Sequence, residues 1–264
     1  MAELLAIGPL VVGGLVVVAF IAGWVDAVVG GGGLIQLPSL LIGLPAETTV
    51  AEISGTNKVS SAAGTLIATI TYLRKVAVHW PLALALMAGS AIGSALGAQL
   101  VRFLPKDWFT PLVLVALLAV GTYTIRKPQM GLEHEPRHSR VTAAVIAGGI
   151  GLAVGLYDGF LGPGTGSFFV ILIVAVLGYG FLQATVLAKL ANLTTNIAAI
   201  SVFAVHGQVL WLLGGMMALA NLGGAFVGAR MALKHGNGFV RRVFLVVIAV
   251  LSVKLAYDTV VLFF

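Results

Sequence analysis

Hydrophobic positions in this chain fall in long blocks. Apolar stretches cover residues 7–29, 34–46, 49–73, 80–101 and 108–125. After a polar linker from Arg126 to Arg140, a second set covers 141–161, 167–179, 182–205, 209–230 and 239–264. A spanning helix needs about 20 apolar residues. Four segments in each set reach that length. The second segment of each set does not, and it follows a glycine cluster: Gly30-Gly31-Gly32-Gly33 in one, Gly162-Pro163-Gly164-Thr165-Gly166 in the other. Such clusters break helices. Irregular backbone at membrane depth is tolerated only when buried in protein or lining a polar cavity. The pattern predicts an all-α, polytopic membrane protein, one domain over 1–264, with a broken or re-entrant helix in each set.

The two sets are copies. A shift of 131 places Lys58 on Lys189, Ala68 on Ala199, Trp80 on Trp211, Gly93 on Gly224 and Gly97 on Gly228. Upstream the shift is 132, and Asp26, Gly30 and Gly32 fall on Asp158, Gly162 and Gly164. Repeat 1 is expected over about 7–125 and repeat 2 over about 141–264.

Charge sets their relative orientation. Arg74 and Lys75 follow the third segment of the first copy, and the linker holds Arg126, Lys127, Arg137 and Arg140. The equivalent loop of the second copy holds only His206, while the loop one crossing later holds Arg230, Lys234, Arg241 and Arg242. Basic loops stay cytoplasmic. The bias predicts inverted copies joined by a cytoplasmic linker, with both termini outside; Arg102 and Lys106 dissent. Inverted repeats around a midplane site are a common secondary-transporter architecture.

Composition agrees. Only 9% of the 264 residues are charged and 59% are hydrophobic, against about 25% charged in soluble domains. The net charge of +6 sits at loop ends, so nucleic acid is not implied. There is no cysteine, which excludes disulfides and thiolate chemistry. The N-terminus lacks a basic n-region and reads as a first membrane helix rather than a signal peptide.

Against that background Lys58 and Lys189 are conspicuous. A charge at bilayer depth costs at least ~2.5–3.5 kcal/mol on insertion scales. Counted from helix starts near Thr48 and Phe181, they lie about 15 Å and about 12 Å deep, near the middle of a ~30 Å core. Thr56, Asn57 and Ser61 surround one; Asn192 and Asn196 surround the other. Hydroxyls and amides share an oxyanion with an ammonium group, so both lysines are candidate ligands of one anion. The alternative is that each pairs with an aspartate and locks the bundle. Asp26, in the same half as Lys58, is the partner considered there. Asp26 and Asp158 are then either proton-coupling acids or charge partners, although counting from Ile7 puts Asp26 nearer the far interface. The N-termini after Gly32, Gly33, Gly164 and Gly166 offer NH groups to an anion. Gln36 is a candidate donor. The five histidines show no metal spacing, and no cofactor is implied.

With GWVDAVVGGGGLIQLPSLL, GTNKVSSAAG, YDGFLGPGTGSFF and AKLANLTTN in view, the chain resembles the TauE/SafE family of sulfite exporters and anion permeases along nearly its whole length. The resemblance implies a non-enzymatic transporter of sulfite, a sulfonate or another small sulfur-containing anion, usually outward, in a bacterial cytoplasmic (inner) membrane. Proton coupling is a candidate. An anion channel is the alternative. An intramembrane enzyme using Ser167 lacks a membrane-embedded histidine as its base.

Overall fold

The structure, a computed structural model, describes residues 7–103 and 135–263. The segment expected over 108–125 and most of the linker lie outside the described residues. Eight helices organise the rest: α1 Pro9–Val29, α2 Gly33–Gly43, α3 Val50–Leu73, α4 Trp80–Leu100, α5 Arg140–Phe160, α6 Thr165–Leu172, α7 Phe181–Val205 and α8 Trp211–Phe263. A 3₁₀ turn, Val101–Phe103, extends α4, and a π turn, Ile173–Leu177, extends α6. No strand occurs among the described residues.

Local chemistry starts each element. Thr49 and Glu52 form a reciprocal capping box at α3, satisfying two otherwise orphaned NH groups. Ser139 caps α5, and proline occupies the first turn of α1 and α4, where its missing NH costs nothing. Among the described residues five helices are long and apolar enough to cross a membrane: α1, α4, α5, α7 and Trp211–Val243 of α8. α3 has the length, at 24 residues, but its Glu52, Asn57, Lys58 and serines make it too polar to count. Leu10, Val17, Leu84, Ile92, Val145, Leu219 and other large apolar side chains face outward, as a lipid-facing surface requires.

The two segments expected over 209–230 and 239–264 are the two helical limbs of α8, which meet at a kink at Gly236, where φ 70° and ψ −165° are not helical.

Glycine contacts set the helix directions. Gly89, Gly93 and Gly97 of α4 meet Gly148, Leu152 and Leu156 of α5 in rising order, so α4 and α5 run parallel. Gly224 and Gly228 of α8 follow Phe20 and Trp24 of α1, again in rising order. Gly55 and Gly64 of α3 meet Gln208 and Asn221, so α3 also runs with α8. Gly55 packs on Phe203, although Asn57 and Ser61 share a cavity with Asn192 and Asn196; α3 and α7 therefore cross in opposite directions. The fourth helix of each half packs on the first helix of the other.

At the centre the two glycine breaks touch. Gly30, at φ +79°, lies against Gly166, and a Cβ on either would overlap the other's backbone. Ser167 N donates to Gly30 O at 3.2 Å and Ser167 Oγ to Val29 O at 2.9 Å. Gly166→Ala is expected to destabilise by ~1–3 kcal/mol through overpacking. Gly149→Ala, with open space around its Cβ position, should be neutral or slightly stabilising because alanine favours helix. Thermal unfolding of the two purified variants checks the contrast.

Candidate functional site

Both aspartates sit in the last turn of a helix that stops at a glycine break. The negative end of the helix dipole disfavours an anion there, and a lysine from the opposite half offsets it. Lys58 Nζ lies 2.5 Å from Asp158 Oδ2. Lys189 Nζ lies 2.8 Å from Asp26 Oδ2 and also donates to the Asp26 backbone carbonyl. The pairing is crossed: α3 to α5, and α7 to α1. Asp26, the partner considered for Lys58 in the locking alternative, instead meets Lys189, because the first helix of each half packs on the fourth helix of the other. Lys58, Asp158 and Lys189 are 3%, 2% and 0% exposed, so neither pair is a surface ion pair. Breaking a buried pair by removing one partner typically costs ~3–5 kcal/mol.

Between the pairs lies a small polar cavity of about 10 Å³, room for about one water. Lys58, Asn57, Ser61, Asn192, Asn196, Asp26 and Asp158 line it, with Gly33, Gly164 and Gly166 from the two short helices. The count along α1 had placed Asp26 near the far interface; the break at Gly30 instead leaves its carboxylate on the same cavity as Lys58. Gly30, Gly162 and Thr165 also line it; they lie inside the two glycine clusters and were legible there.

Four expected ligands lie elsewhere. Lys189 does not line the cavity, because its ammonium is enclosed by Asp26. The Thr56 hydroxyl donates to Glu52 O and accepts from Leu210 N at 3.0 Å, tying α3 to the start of α8. Gly32 packs on Ala22 and Asp26. Gln36 Oε1 accepts from Asn221 Nδ2 at 3.0 Å. Asn221 itself went unread, although it falls on Ser90 under the same shift of 131 that aligns the lysines.

The electrostatics are balanced: two ammonium groups face two carboxylates. The hydrogen bonding is not. Asn57 Oδ1 and Asn196 Nδ2 are buried without partners. A buried unsatisfied polar atom costs about 1–3 kcal/mol. Asn196 Nδ2, the Lys58 ammonium and the Ser61 hydroxyl are hydrogen-bond donors at this cavity that an oxyanion could accept from.

The family profile described as "Sulfite exporter TauE/SafE" matches residues 15–255. The chain belongs to the TauE/SafE family. Among its relatives, "Probable membrane transporter protein YfcA" of Escherichia coli (strain K12) is 35% identical over 97% of this chain and 94% of its own length. "Probable membrane transporter protein ORF9" of Sinorhizobium sp is 38% identical over 92% of both. "Probable membrane transporter protein YdhB" of Bacillus subtilis (strain 168) is 25% identical over 82% of this chain. No solved structure matches the chain. In this TauE/SafE member, the segments on which the resemblance rests are those that build the cavity: the first glycine break with Asp26, the second with Asp158, and the polar turns around the two lysines.

Proposed function

We propose that this membrane transporter exports a small sulfur-containing oxyanion, sulfite or an organosulfonate, by alternating access across a bacterial inner membrane, and that Lys58 is the cation that meets it. The observation that carries this reading is a buried lysine on a polar cavity whose two asparagines have unpartnered atoms, at the junction of two broken helices. The lysines then divide their work. Lys58 meets substrate, with Asn57, Ser61, Asn192, Asn196 and the first turns at Gly33, Gly164 and Gly166. Lys189 fixes the broken end of α1. A cavity with room for one water suits a closed state of a transporter more than an open channel.

Adding a monoanion to two lysines and two aspartates leaves a net charge at bilayer depth, which is costly. Taking up one proton with the anion restores balance. Asp158, the partner of the cavity-facing lysine, is the acid placed to accept it. Its protonation frees Lys58 for the substrate.

The opposite running directions of α1 and α5 support inverted halves. The ends of α3 and of the first limb of α8 meet the starts of α4, α5 and α7 at one face, where Asn237 Oδ1 accepts from Leu182 N at 2.7 Å. Arg74, Lys75, Arg137, Arg140, Arg230 and Lys234 belong to that face, which is then cytoplasmic. A reporter active only in the cytoplasm should work after Met130 and be silent after Phe264; strong activity at Phe264 would overturn the orientation. Substrate class is tested by counterflow in proteoliposomes, with sulfite and short alkanesulfonates as arms. Equal, protein-independent flux of all of them would refute the reading.

A further inference from the structure

A second cavity lies away from the crossed ion pairs, at the face where α4, α5 and α7 begin. Its volume is about 440 Å³, within the ~300–1,000 Å³ of small-molecule sites. Three elements supply its polar wall. His79 precedes α4, His138 and Arg140 enter α5, and Gln183 lies in the first turn of α7. Val78 and Leu177 contribute to its apolar lining.

The polar wall is incomplete as it stands. His79 Nδ1 and Gln183 Oε1 are buried with no hydrogen-bond partner. Among the described residues no partner faces the Arg140 guanidinium, and no acidic side chain lines the cavity. His138 Nε2 already meets Val176 O at 3.0 Å, which holds that residue in place. Burial raises the Tyr179 phenol above its ordinary value, so this lining residue stays neutral and adds no negative charge. The helices reinforce the sign. α4, α5 and α7 turn their N-terminal ends toward this face, and α4 and α7 carry no side-chain cap. Helix N-termini favour anions.

We propose that this cavity is a second anion site, for a water-soluble oxyanion head on a short apolar tail, with butanesulfonate as the test ligand. The head meets Arg140 and His79, whose planar guanidinium and ring NH suit a sulfonate, carboxylate or phosphate. The tail lies on Val78 and Leu177. The proposal stands whether or not the central cavity binds substrate, because the two share no residue. An anionic lipid headgroup carries the same chemistry and is the competing source.

The site has a built-in reporter, since Trp80 follows His79 and is exposed. Butanesulfonate is titrated into purified full-length protein in neutral detergent, by calorimetry and by tryptophan fluorescence. Saturable binding is expected, with a fluorescence change that disappears in Trp80→Phe while the heat remains. Arg140→Gln and His79→Gln should each weaken it at least about tenfold, as loss of a charge-assisted bond does. Arg230→Gln, on the same face but with its guanidinium over Phe226, should leave it unchanged, and repeating the series in folded Lys58→Met removes any contribution from the central cavity. Thermal scans of each variant show that it is folded. Absence of saturable binding, or unaltered affinity in folded Arg140→Gln and His79→Gln, overturns the site. In nanodiscs, displacement of butanesulfonate by phosphatidylglycerol but not by free glycerol phosphate would overturn the soluble source in favour of lipid.

Discussion

Lys58→Met should reduce affinity for the transported anion by about a hundredfold or more, the loss of a strong charged hydrogen bond of roughly 3 kcal/mol. The same change removes the hydrogen-bonding partner that the Asp158 carboxylate has among the described residues, so stability should also fall. The two effects separate in Lys58→Met with Asp158→Asn. Removing both charges relieves the unpaired carboxylate, so the unfolding midpoint should recover while binding stays lost. Lys189→Met should behave differently. Its ammonium is enclosed against the end of α1, so stability should fall most, with Asp26→Asn as its rescue partner. Binding to purified protein and a thermal scan, run side by side, decide this. If Lys58→Met binds as wild type does, the lysine only locks the bundle. If Lys58→Met and Lys189→Met lose affinity equally while folded, the division of labour between them is wrong.

Much of this arrangement was written locally in the chain. The glycine clusters announced the two breaks, because four glycines, or Gly-Pro-Gly, leave a helix no good continuation. The depth of Lys58 followed by counting from a helix start near Thr48, one residue before the Thr49 cap of α3. The shift that superposes Lys58 on Lys189 revealed the duplication before any packing was known. What stayed hidden depends on which surfaces meet. A repeat offset says that two lysines and two aspartates are equivalent; it does not say that α5 crosses over to Lys58 and α1 to Lys189. That exchange follows from glycine faces on α4 and α8 that admit the other half's first helix at backbone distance. The fates of Thr56 and Gln36 were hidden for the same reason, since Leu210 and Asn221 are far away in sequence. The cavity at Arg140 and His79 depended on three separate helix starts coming to one face.

Asp158→Asn should uncouple the anion from the proton. The charged groups around this carboxylate are Lys58, in direct contact, and Asp26 with Lys189 across the cavity. The neighbouring phenols are committed elsewhere, Tyr157 to Pro163 O and Tyr72 to Ala27 O. On the proposed coupling, a sulfonate entering this balanced set needs one added positive charge, which Asp158 would supply by accepting a proton as Lys58 turns to the ligand. The sign is fixed by linkage. Proton uptake on binding means that affinity is greatest at low pH and falls as pH rises, by up to about tenfold per unit where the free carboxylate is ionised. Methanesulfonate is the suitable ligand for this central-site test, because it does not titrate in the working range, as sulfite does. In weakly buffered solution wild type should take up about one proton per anion bound at the central site, the amount that restores neutrality. Arg140→Gln provides the background that removes any contribution from the second cavity. Asp158→Asn leaves Lys58 free of its carboxylate, so it should bind with no proton uptake and a flat pH dependence. Binding by wild type without proton uptake would remove Asp158 as the coupling acid, and so would a pH slope that survives in Asp158→Asn.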